Sequence, residues 1–288
     1  MKTINLSELE RLRRLKLNIK RSTSAGEGLR RSSAKGQSAE FSGYREYIPG
    51  DDMRYVDWNA YARLDKLFIK EYMEEKEGRV NIYLDTSKSM EFGDKLKSTL
   101  MAEITQAISF VAISNRDSVY VTDLGDSNNT IRVPSGQTGM VSLEKWLGKI
   151  TPSGRIDLKE ALKKSIKKSG GISIVLSDFM DEDFLGNEES IIRLFMYHRS
   201  KAVFVHILSE EEMNITDIGA FQFIDSEDEA REVRVTLDRG TIKDYDTALK
   251  NYIRDIKKKI VAADMEYVLC RTDEPLQKII FENMRGLW

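Results

Sequence analysis

Three oxygen-bearing side chains on alternate residues mark the part of the sequence best suited to chemistry. They belong to Asp85, Ser87 and Ser89, in a turn between an apolar run at residues 80–84 and a long helical pattern. In open α/β sheets, ligands bind at the carboxyl ends of the strands. One carboxylate and two hydroxyls are oxygen ligands of the kind that Mg²⁺ and Mn²⁺ prefer. The alternative is a polar turn that only caps the following helix.

Strand and helix patterns alternate along the chain from Gly78 onward. The main predicted strands cover residues 79–84, 118–122, 130–133, 172–176, 201–208 and 267–269, and the main predicted helices cover residues 95–114, 140–150, 158–168, 188–199, 242–263 and 276–284. This alternation predicts an α/β fold with a doubly wound, mostly parallel sheet. Residues 221–224 and 232–237 are expected to form a small β-hairpin near the C-terminus.

Composition indicates a protein that can bury a substantial core and has no strong attraction to nucleic acid or membranes. The 288 residues are 41% hydrophobic and 32% charged, with a formal net charge of -2. A single cysteine, Cys270, excludes an internal disulfide. Residues 1–21 show no signal-peptide pattern, and the most apolar run, at 202–208, is too short to span a bilayer. We therefore expect a cytoplasmic protein without a membrane span.

The first 77 residues differ in character from the rest. They are expected to form an N-terminal extension that docks on a main domain at residues 78–288. Apolar residues at three- and four-residue steps from Leu6 to Ile19 predict an amphipathic helix with a basic face, and residues 21–38 predict a loop. The basic stretch leaves open an accessory contact with nucleic acid or a membrane, but the absence of interleaved aromatic residues argues against nucleic-acid binding.

Aromatic and charged residues are densely mixed between residues 40 and 77. The run Pro49-Gly50-Asp51-Asp52 is a turn signal, because proline presets φ, glycine permits positive φ, and aspartate hydrogen-bonds the backbone. Ion pairs between nearby arginines and aspartates, covered by aromatic rings, are expected to fix this segment in place. This aromatic and charged segment comprises Tyr44, Arg45, Tyr47, Pro49, Gly50, Asp51, Asp52, Arg54, Asp57, Trp58 and Arg63.

A second acidic turn, Ser177-Asp178, follows a later predicted strand. Together with the turn at residues 85–89, it resembles the von Willebrand factor type A fold and its metal-ion-dependent adhesion site. In that family, three loops at the carboxyl edge of a three-layer α/β fold hold one divalent cation. The resemblance implies a site for Mg²⁺ or Mn²⁺ with the ligands Asp85, Ser87, Ser89 and Asp178.

The second loop departs from the pattern of that family. The family normally supplies a threonine there, and in this sequence Ile156 stands in its place. Asp157, Thr151 or an additional water could supply the missing oxygen, since Mg²⁺ commonly keeps several waters. Lys88 is a further departure, because its ammonium group could reach the metal position.

The aromatic and charged segment narrows the resemblance further. From about residue 28 to residue 90, the sequence is similar to the prokaryotic family called domain of unknown function fifty-eight, in which such a segment immediately precedes a von Willebrand type A-like domain. Many members carry membrane helices upstream of the segment, and this sequence shows none. Members are thought to be partners of MoxR-type AAA+ ATPases in complex assembly or metal-cofactor insertion. The resemblance implies such a partner here.

Two functions compete on this evidence. The first is a non-enzymatic protein-binding module, in which a carboxylate of a partner protein completes the metal coordination and no small-molecule substrate is expected. The second is a metal-assisted phosphohydrolase with Asp85 as nucleophile. Against it, Ser87 stands where such enzymes generally place an acid, and no phosphate-binding Gly-Lys loop or serine elbow occurs. His198, His206 and Cys270 are expected to be structural.

Overall fold

The computed structural model describes residues 11–17, 40–73, 78–166, 171–180, 184, 186–198, 200–224 and 232–288. These residues form two compact units. The small unit consists of residues 40–73. The main unit consists of residues 11–17 and the described residues from 78 onward. The docking of the N-terminal extension on the main domain stays a prediction.

The small unit is a two-stranded hairpin with a short helix. Strand β1 (Glu40–Glu46) pairs in antiparallel fashion with β2 (Phe68–Met73), and helix α1 (Trp58–Leu64) lies between them in sequence. The sequence reading assigned neither strands nor a helix to this segment. Its charges and turn residues interrupt the alternation of apolar residues by which strands are recognised. An isolated antiparallel bridge joins Val56 to Ile69 of β2, and both residues are buried.

The main unit is built around a six-stranded sheet in the order β10–β7–β6–β3–β4–β5. Its strands and those of a separate antiparallel hairpin, β8–β9, are β3 (Arg79–Leu84), β4 (Ser118–Asp123), β5 (Thr130–Val133), β6 (Ile172–Ser177), β7 (Lys201–Leu208), β8 (Gly219–Ile224), β9 (Glu232–Leu237) and β10 (Glu266–Arg271). Every neighbouring pair in the sheet is parallel except β4 and β5. The predicted α/β class, the mostly parallel sheet and the hairpin near the C-terminus are confirmed.

Apart from a short helix at residues 210–213, which was not predicted, the helices of the main unit follow the strands as the sequence predicts. They are α2 (Lys97–Ser114), α3 (Gln137–Leu147), α4 (Leu158–Ser165), α5 (Glu188–Tyr197), α6 (Glu210–Met213), α7 (Arg239–Ala262) and α8 (Leu276–Lys278), which continues as a π-helical turn, Ile279–Asn283. Helix α4 ends at Ser165, earlier than predicted. Helix α7 begins earlier than predicted, because the Asp238 carboxylate accepts a hydrogen bond from the Thr241 amide at 2.7 Å and caps the helix there.

Helices cover both faces of the sheet, so the main unit has three layers. On β3, Val80, Ile82 and Leu84 pack with α2, α3 and the C-terminal residues, whereas Tyr83 packs on the other face with α4, α5 and α7. Successive side chains of a strand point to opposite faces, and both faces are buried here. That is why the strands read as nearly continuous apolar runs.

Residues 11–17 pack on the main unit. Leu12 is buried in the core, the Arg11 guanidinium lies 4.7 Å from the centre of the Phe281 ring, and the Leu15 carbonyl accepts a hydrogen bond from Asn115. Residues 13–17 form a turn and irregular structure, so the helix is shorter than the predicted range to Ile19. Across the described residues, no helix combines the length and apolarity needed to cross a membrane.

Candidate functional site

The loop after β3 holds the first group of predicted ligands. Asp85 is 5% exposed; its Oδ1 accepts a hydrogen bond from the Ser87 amide at 2.9 Å, and its Oδ2 accepts one from the Ser177 hydroxyl at 2.5 Å. The hydroxyls of Ser87 and Ser89 lie 3.0 Å apart. The predicted set of one carboxylate and two hydroxyls on alternate residues is therefore gathered on one side of the turn.

The loop after β6 brings the second carboxylate to the same edge. Asp178 directly follows Ser177, the last residue of β6, and β6 is the parallel neighbour of β3. The Ser177 hydroxyl joins the two loops, because it donates to Asp85 and accepts from the Phe179 amide at 2.9 Å. Phe179 has a positive φ of 49°, which turns the chain back immediately after the strand.

The Asp178 carboxylate is held by a lysine that the sequence reading did not single out. Lys97 Nζ lies 2.7 Å from Asp178 Oδ2 and 2.7 Å from Glu212 Oε1. Lys97 begins α2 and is 1% exposed. The sequence does contain a signal for this lysine, because Lys97 lies on the same helical stripe as Leu100 and Ile104, which are both buried. A lysine on a buried stripe needs a charged partner inside the fold.

The pKa values of the two aspartates of the site shift in opposite directions. Burial and the neighbouring charge of Asp178 together raise the pKa of Asp85 to about 6. Burial also acts to raise the pKa of Asp178, but the Lys97 ammonium and hydrogen bonding from Ser89 outweigh it, so this pKa is lowered. Burial acts to lower the pKa of Lys97, and the charges of Asp178 and Glu212 reverse the effect, so the lysine remains protonated.

The residue between the first two predicted ligands fastens the loop to β4. The Thr86 hydroxyl donates a 2.6 Å hydrogen bond to Asp123 Oδ1, and both side chains are buried. The hydroxyl also accepts from the Gly125 amide at 3.2 Å. A Cβ atom on Gly125 would lie 2.5 Å from the Thr86 hydroxyl oxygen, so only glycine fits this approach. Sequence reasoning missed this contact, since it joins residues 37 positions apart.

The second loop lies against the first. The Lys88 amide donates to the Gly154 carbonyl, and the Ser153 amide donates to the Thr86 carbonyl, both at 2.9 Å. Lys88 Nζ itself lies 2.7 Å from Glu91 Oε2. Another lysine, Lys97, contacts the predicted ligand Asp178 directly.

The residues predicted to replace the missing threonine oxygen have different surroundings. Ile156 is 8% exposed and packs in the core with Leu158. Asp157 caps α4, with its Oδ1 accepting from the Glu160 amide at 3.0 Å. Thr151 is exposed. Ile156 therefore belongs to the hydrophobic core beside the site, and its roles there are packing and support of the loop.

The aromatic and charged segment forms the turns and helix of the small unit. The predicted ion pairs occur between Arg45 and Asp51, through two hydrogen bonds of 2.6 and 2.8 Å, and between Arg54 and Asp52, at 2.6 Å. The remaining residues of the segment lie in the turn after β1 (Tyr47, Pro49, Gly50), at the start of α1 (Trp58) and in its last turn (Arg63).

Asp57 links the strand and the helix of the small unit. Its Oδ1 caps α1 by accepting from the Asn59 and Ala60 amides, and its Oδ2 accepts from the Tyr44 hydroxyl at 2.8 Å. Asp57 is buried, so these bonds form away from water, where a polar group left without them would be costly. These contacts of Asp57 hold the segment in its fold.

The buried histidine and cysteine fit the structural role expected for them. His206 Nδ1 lies 2.6 Å from the Tyr267 hydroxyl, and the ring packs edge-on against Phe179. Burial lowers the pKa of His206 to about 4, so the ring is neutral near pH 7. Burial raises the pKa of the Cys270 thiol, which makes it a poor nucleophile.

The residues at the edge of the sheet fit a hard divalent cation. Asp178 and Glu212 contact the single ammonium of Lys97, and Asp85 adds a third carboxylate beside Asp178, which leaves an excess of negative charge. Within the described parts of the chain, no group of three or more His, Cys, Asp or Glu side chains is arranged to hold a metal. A cation would therefore need the serine hydroxyls as well, and Mg²⁺ and Mn²⁺ accept such neutral oxygen ligands.

Comparison with known proteins establishes the family. The family described as "Protein of unknown function DUF58" matches residues 43–253, which is more than half of the chain. The chain belongs to the DUF58 family. The matched region begins in the small unit and continues through most of the main unit, so both parts of this DUF58 protein are family features.

The relatives found are distant and themselves uncharacterized. Uncharacterized proteins of Mycobacterium bovis and Mycobacterium tuberculosis are each 24% identical over 250 residues, covering 83% of this chain and 76% of the relative. A crystal structure described as an uncharacterized membrane spanning protein from Vibrio fischeri aligns with 14% identity and a TM-score of 0.22, covering 74% of this chain and 99% of that one. A score this low supports no inference about this chain.

Proposed function

We propose that this DUF58 protein is a non-enzymatic protein-binding module. Its main unit would be a von Willebrand factor type A-like domain, and its site a degenerate metal-ion-dependent adhesion site. The observation that carries the proposal is the meeting of two loops, which brings Asp85, Ser87, Ser89 and Asp178 together with an excess of negative charge. These residues would hold Mg²⁺ or Mn²⁺, and the ion would offer a carboxylate of a partner protein a coordination position.

The chain's own residues prepare the site in three ways. The Ser177 hydroxyl holds Asp85 in place, and the Lys97 ammonium keeps Asp178 ionised. Thr86 fixes the first loop, which carries the two serines, to β4. Because Ile156 offers no oxygen, water is the simplest replacement for the missing ligand.

The partner proposed is a MoxR-type AAA+ ATPase, with this protein acting as an accessory or assembly factor in the cytoplasm. Support for this partner comes from family membership and from the chemistry of the site, which suits an aspartate or glutamate side chain. The net charge of -2 gives no general attraction to nucleic acid.

The surroundings of Asp85 do not favour the alternative phosphohydrolase. Both of its carboxylate oxygens already accept hydrogen bonds, and the side chain is 5% exposed. A nucleophile for phosphoryl transfer needs an oxygen in line with the leaving group of an accessible substrate. The arrangement around Asp85 suits a carboxylate held as a ligand or a structural acceptor.

Thermal unfolding with and without cation tests the metal site. Purified protein is unfolded in EDTA, in Mg²⁺ and in Mn²⁺, alongside Ser89→Ala and the surface control Ser142→Ala, whose hydroxyl donates to the Thr138 carbonyl of its own helix at 2.8 Å. A cation bound only by the folded state at a hundredfold excess over Kd stabilises by about 2.7 kcal/mol. We expect a rise of several degrees in wild type and in Ser142→Ala, and a smaller rise in Ser89→Ala.

A binding assay tests the partner. A MoxR-type AAA+ ATPase from the same organism is titrated against immobilised wild-type protein and Asp85→Asn, each in Mg²⁺ and in EDTA. The proposal predicts binding by wild type in Mg²⁺, and loss of binding in EDTA and in the variant. Binding that is the same in all four conditions would rule out a metal-bridged contact with this partner.

A further inference from the structure

Lys97 has a position that a surface ion pair would not explain. It is among the largest fully buried side chains of the molecule, and its side chain is 1% exposed. Its ammonium contacts Asp178, a predicted metal ligand, and Glu212, which is not one. A buried charge of this kind persists only where carboxylates lie close enough to compensate for its lost hydration.

Glu212 is the second carboxylate that holds the Lys97 ammonium in place. Its Oε2 accepts from the Ser209 amide at 2.7 Å, and its amide donates to the Ser209 hydroxyl at 3.2 Å, forming the capping box at the start of α6. Its Oε1 is left to accept from Lys97 at 2.7 Å. Because the capping box fixes Glu212, the ammonium is held beside Asp178 and does not swing freely out to solvent.

The site therefore has two unequal halves. Asp85 has no ion pair with any residue in the described part of the chain, and its bonds come from Ser87 and Ser177. Asp178, in contrast, already has a positive charge at hydrogen-bond distance. A divalent cation that used both carboxylates would have to share Asp178 with the ammonium and be repelled by it.

We propose that Lys97 is a built-in competitor of the divalent cation, which weakens metal binding at the site and sets its affinity. The inference rests on the proposed metal site and deepens it. A unit charge next to a bound divalent ion is strongly unfavourable even at an effective dielectric constant of about 20. Replacing the ammonium with an apolar side chain of similar length should therefore tighten Mn²⁺ binding about tenfold or more.

The test measures Mn²⁺ affinity directly in the full chain. Chelator-treated wild type, Lys97→Met and Lys97→Arg are titrated with Mn²⁺, and the free ion is followed by electron paramagnetic resonance. Methionine keeps the length and loses the charge, whereas arginine keeps the charge. We expect tighter binding in Lys97→Met and affinity no tighter than wild type in Lys97→Arg. If Lys97 only supported the fold, the charge of the residue at position 97 would not determine the Mn²⁺ affinity of the two variants.

A second variant keeps the test decisive if Lys97→Met does not fold. The double substitution Lys97→Met with Glu212→Gln removes the ammonium together with one of the carboxylates that it compensates, and circular dichroism in EDTA confirms folding. Tighter Mn²⁺ binding by either folded neutral variant supports the inference. Binding equal to or weaker than that of a wild type that does bind would overturn the inference and leave the proposed metal site standing.

Two further outcomes separate the inference from the proposed function. If wild type binds no Mn²⁺ but a neutral variant does, Lys97 blocks the site completely; the inference holds and metal use by the natural protein fails. If neither wild type nor the neutral variants bind Mn²⁺, both the inference and the proposed metal site are overturned.

Discussion

The substitution Thr86→Val removes one buried hydroxyl group and should destabilise the protein more than the small change in the side chain suggests. The Thr86 hydroxyl donates at 2.6 Å to Asp123 and accepts from the Gly125 amide at 3.2 Å, and valine has nearly the same shape without either bond. Asp123 would keep the Gly125 amide at 2.9 Å and the Asn129 side chain at 3.3 Å. The carboxylate would thus lose its shortest hydrogen bond in a buried position.

The expected cost follows from the type of bond that is lost. A hydrogen bond to a charged group contributes about 1.5–3 kcal/mol, and one between neutral groups about 0.5–1.5 kcal/mol. Thr122→Val is the matched control, since Thr122 is also buried and its hydroxyl bonds a neutral group, the Thr130 hydroxyl, at 3.0 Å. We expect a loss of about 2–3 kcal/mol for Thr86→Val and about 1 kcal/mol or less for Thr122→Val, because valine also suits a strand.

Urea unfolding in EDTA measures the difference without interference from bound cations. The free energies of unfolding of the wild type and both variants are extrapolated to water, and thermal midpoints are recorded alongside them. Similar losses for the two variants, or a loss below about 0.5 kcal/mol for Thr86→Val, would refute the idea that the bond to Asp123 holds the first loop.

Three further predictions concern other parts of the molecule. Burial lowers the pKa of His206 from 6.5 to about 4, so the unfolded chain binds more protons than the folded protein between these two pH values. The free energy of unfolding should therefore fall by up to roughly 3 kcal/mol as the pH drops through this window. Urea unfolding at each pH measures this loss, which should be smaller in His206→Asn. Asp57→Ala removes a helix cap and should cost the small unit about 1–2 kcal/mol, followed by the fluorescence of Trp58; an unchanged transition would contradict the cap. Gly139→Ala places a Cβ atom 1.8 Å from a backbone carbonyl and should cost about 1–3 kcal/mol, whereas Gly148→Ala, with only ordinary contacts, should be neutral or stabilising by thermal unfolding.

Local patterns in the sequence were enough to predict the main unit. The buried strands β3 and β6 match their predicted ranges closely, since both faces of the sheet demand apolar residues. Helix ends were less accurate, as in α4, because capping depends on hydrogen bonds that periodicity does not contain. The hairpin of the small unit was missed, because its ion pairs and turns hide the alternation of its strands.

The sequence predicted that Asp85 and Asp178 lie at one edge of the sheet, but it did not reveal the side chains that support them. Asp85 and Asp178 come together because each follows a strand and the two strands are neighbours in the sheet. Lys97 and Glu212 were missed, because their contact spans 115 positions and depends on how α2 and α6 pack. Pairings of this length follow from the tertiary structure, which no short motif encodes.

The double use of Glu212 has a consequence for how this sequence can evolve. One oxygen of its carboxylate completes the capping box of α6, and the other faces Lys97. A lineage that loses the lysine can still retain the glutamate for the helix, but a lineage that loses the glutamate leaves Lys97 with one fewer counter-charge. Any substitution of Glu212 therefore removes a helix cap and a counter-charge at once, so position 212 should tolerate few other residues.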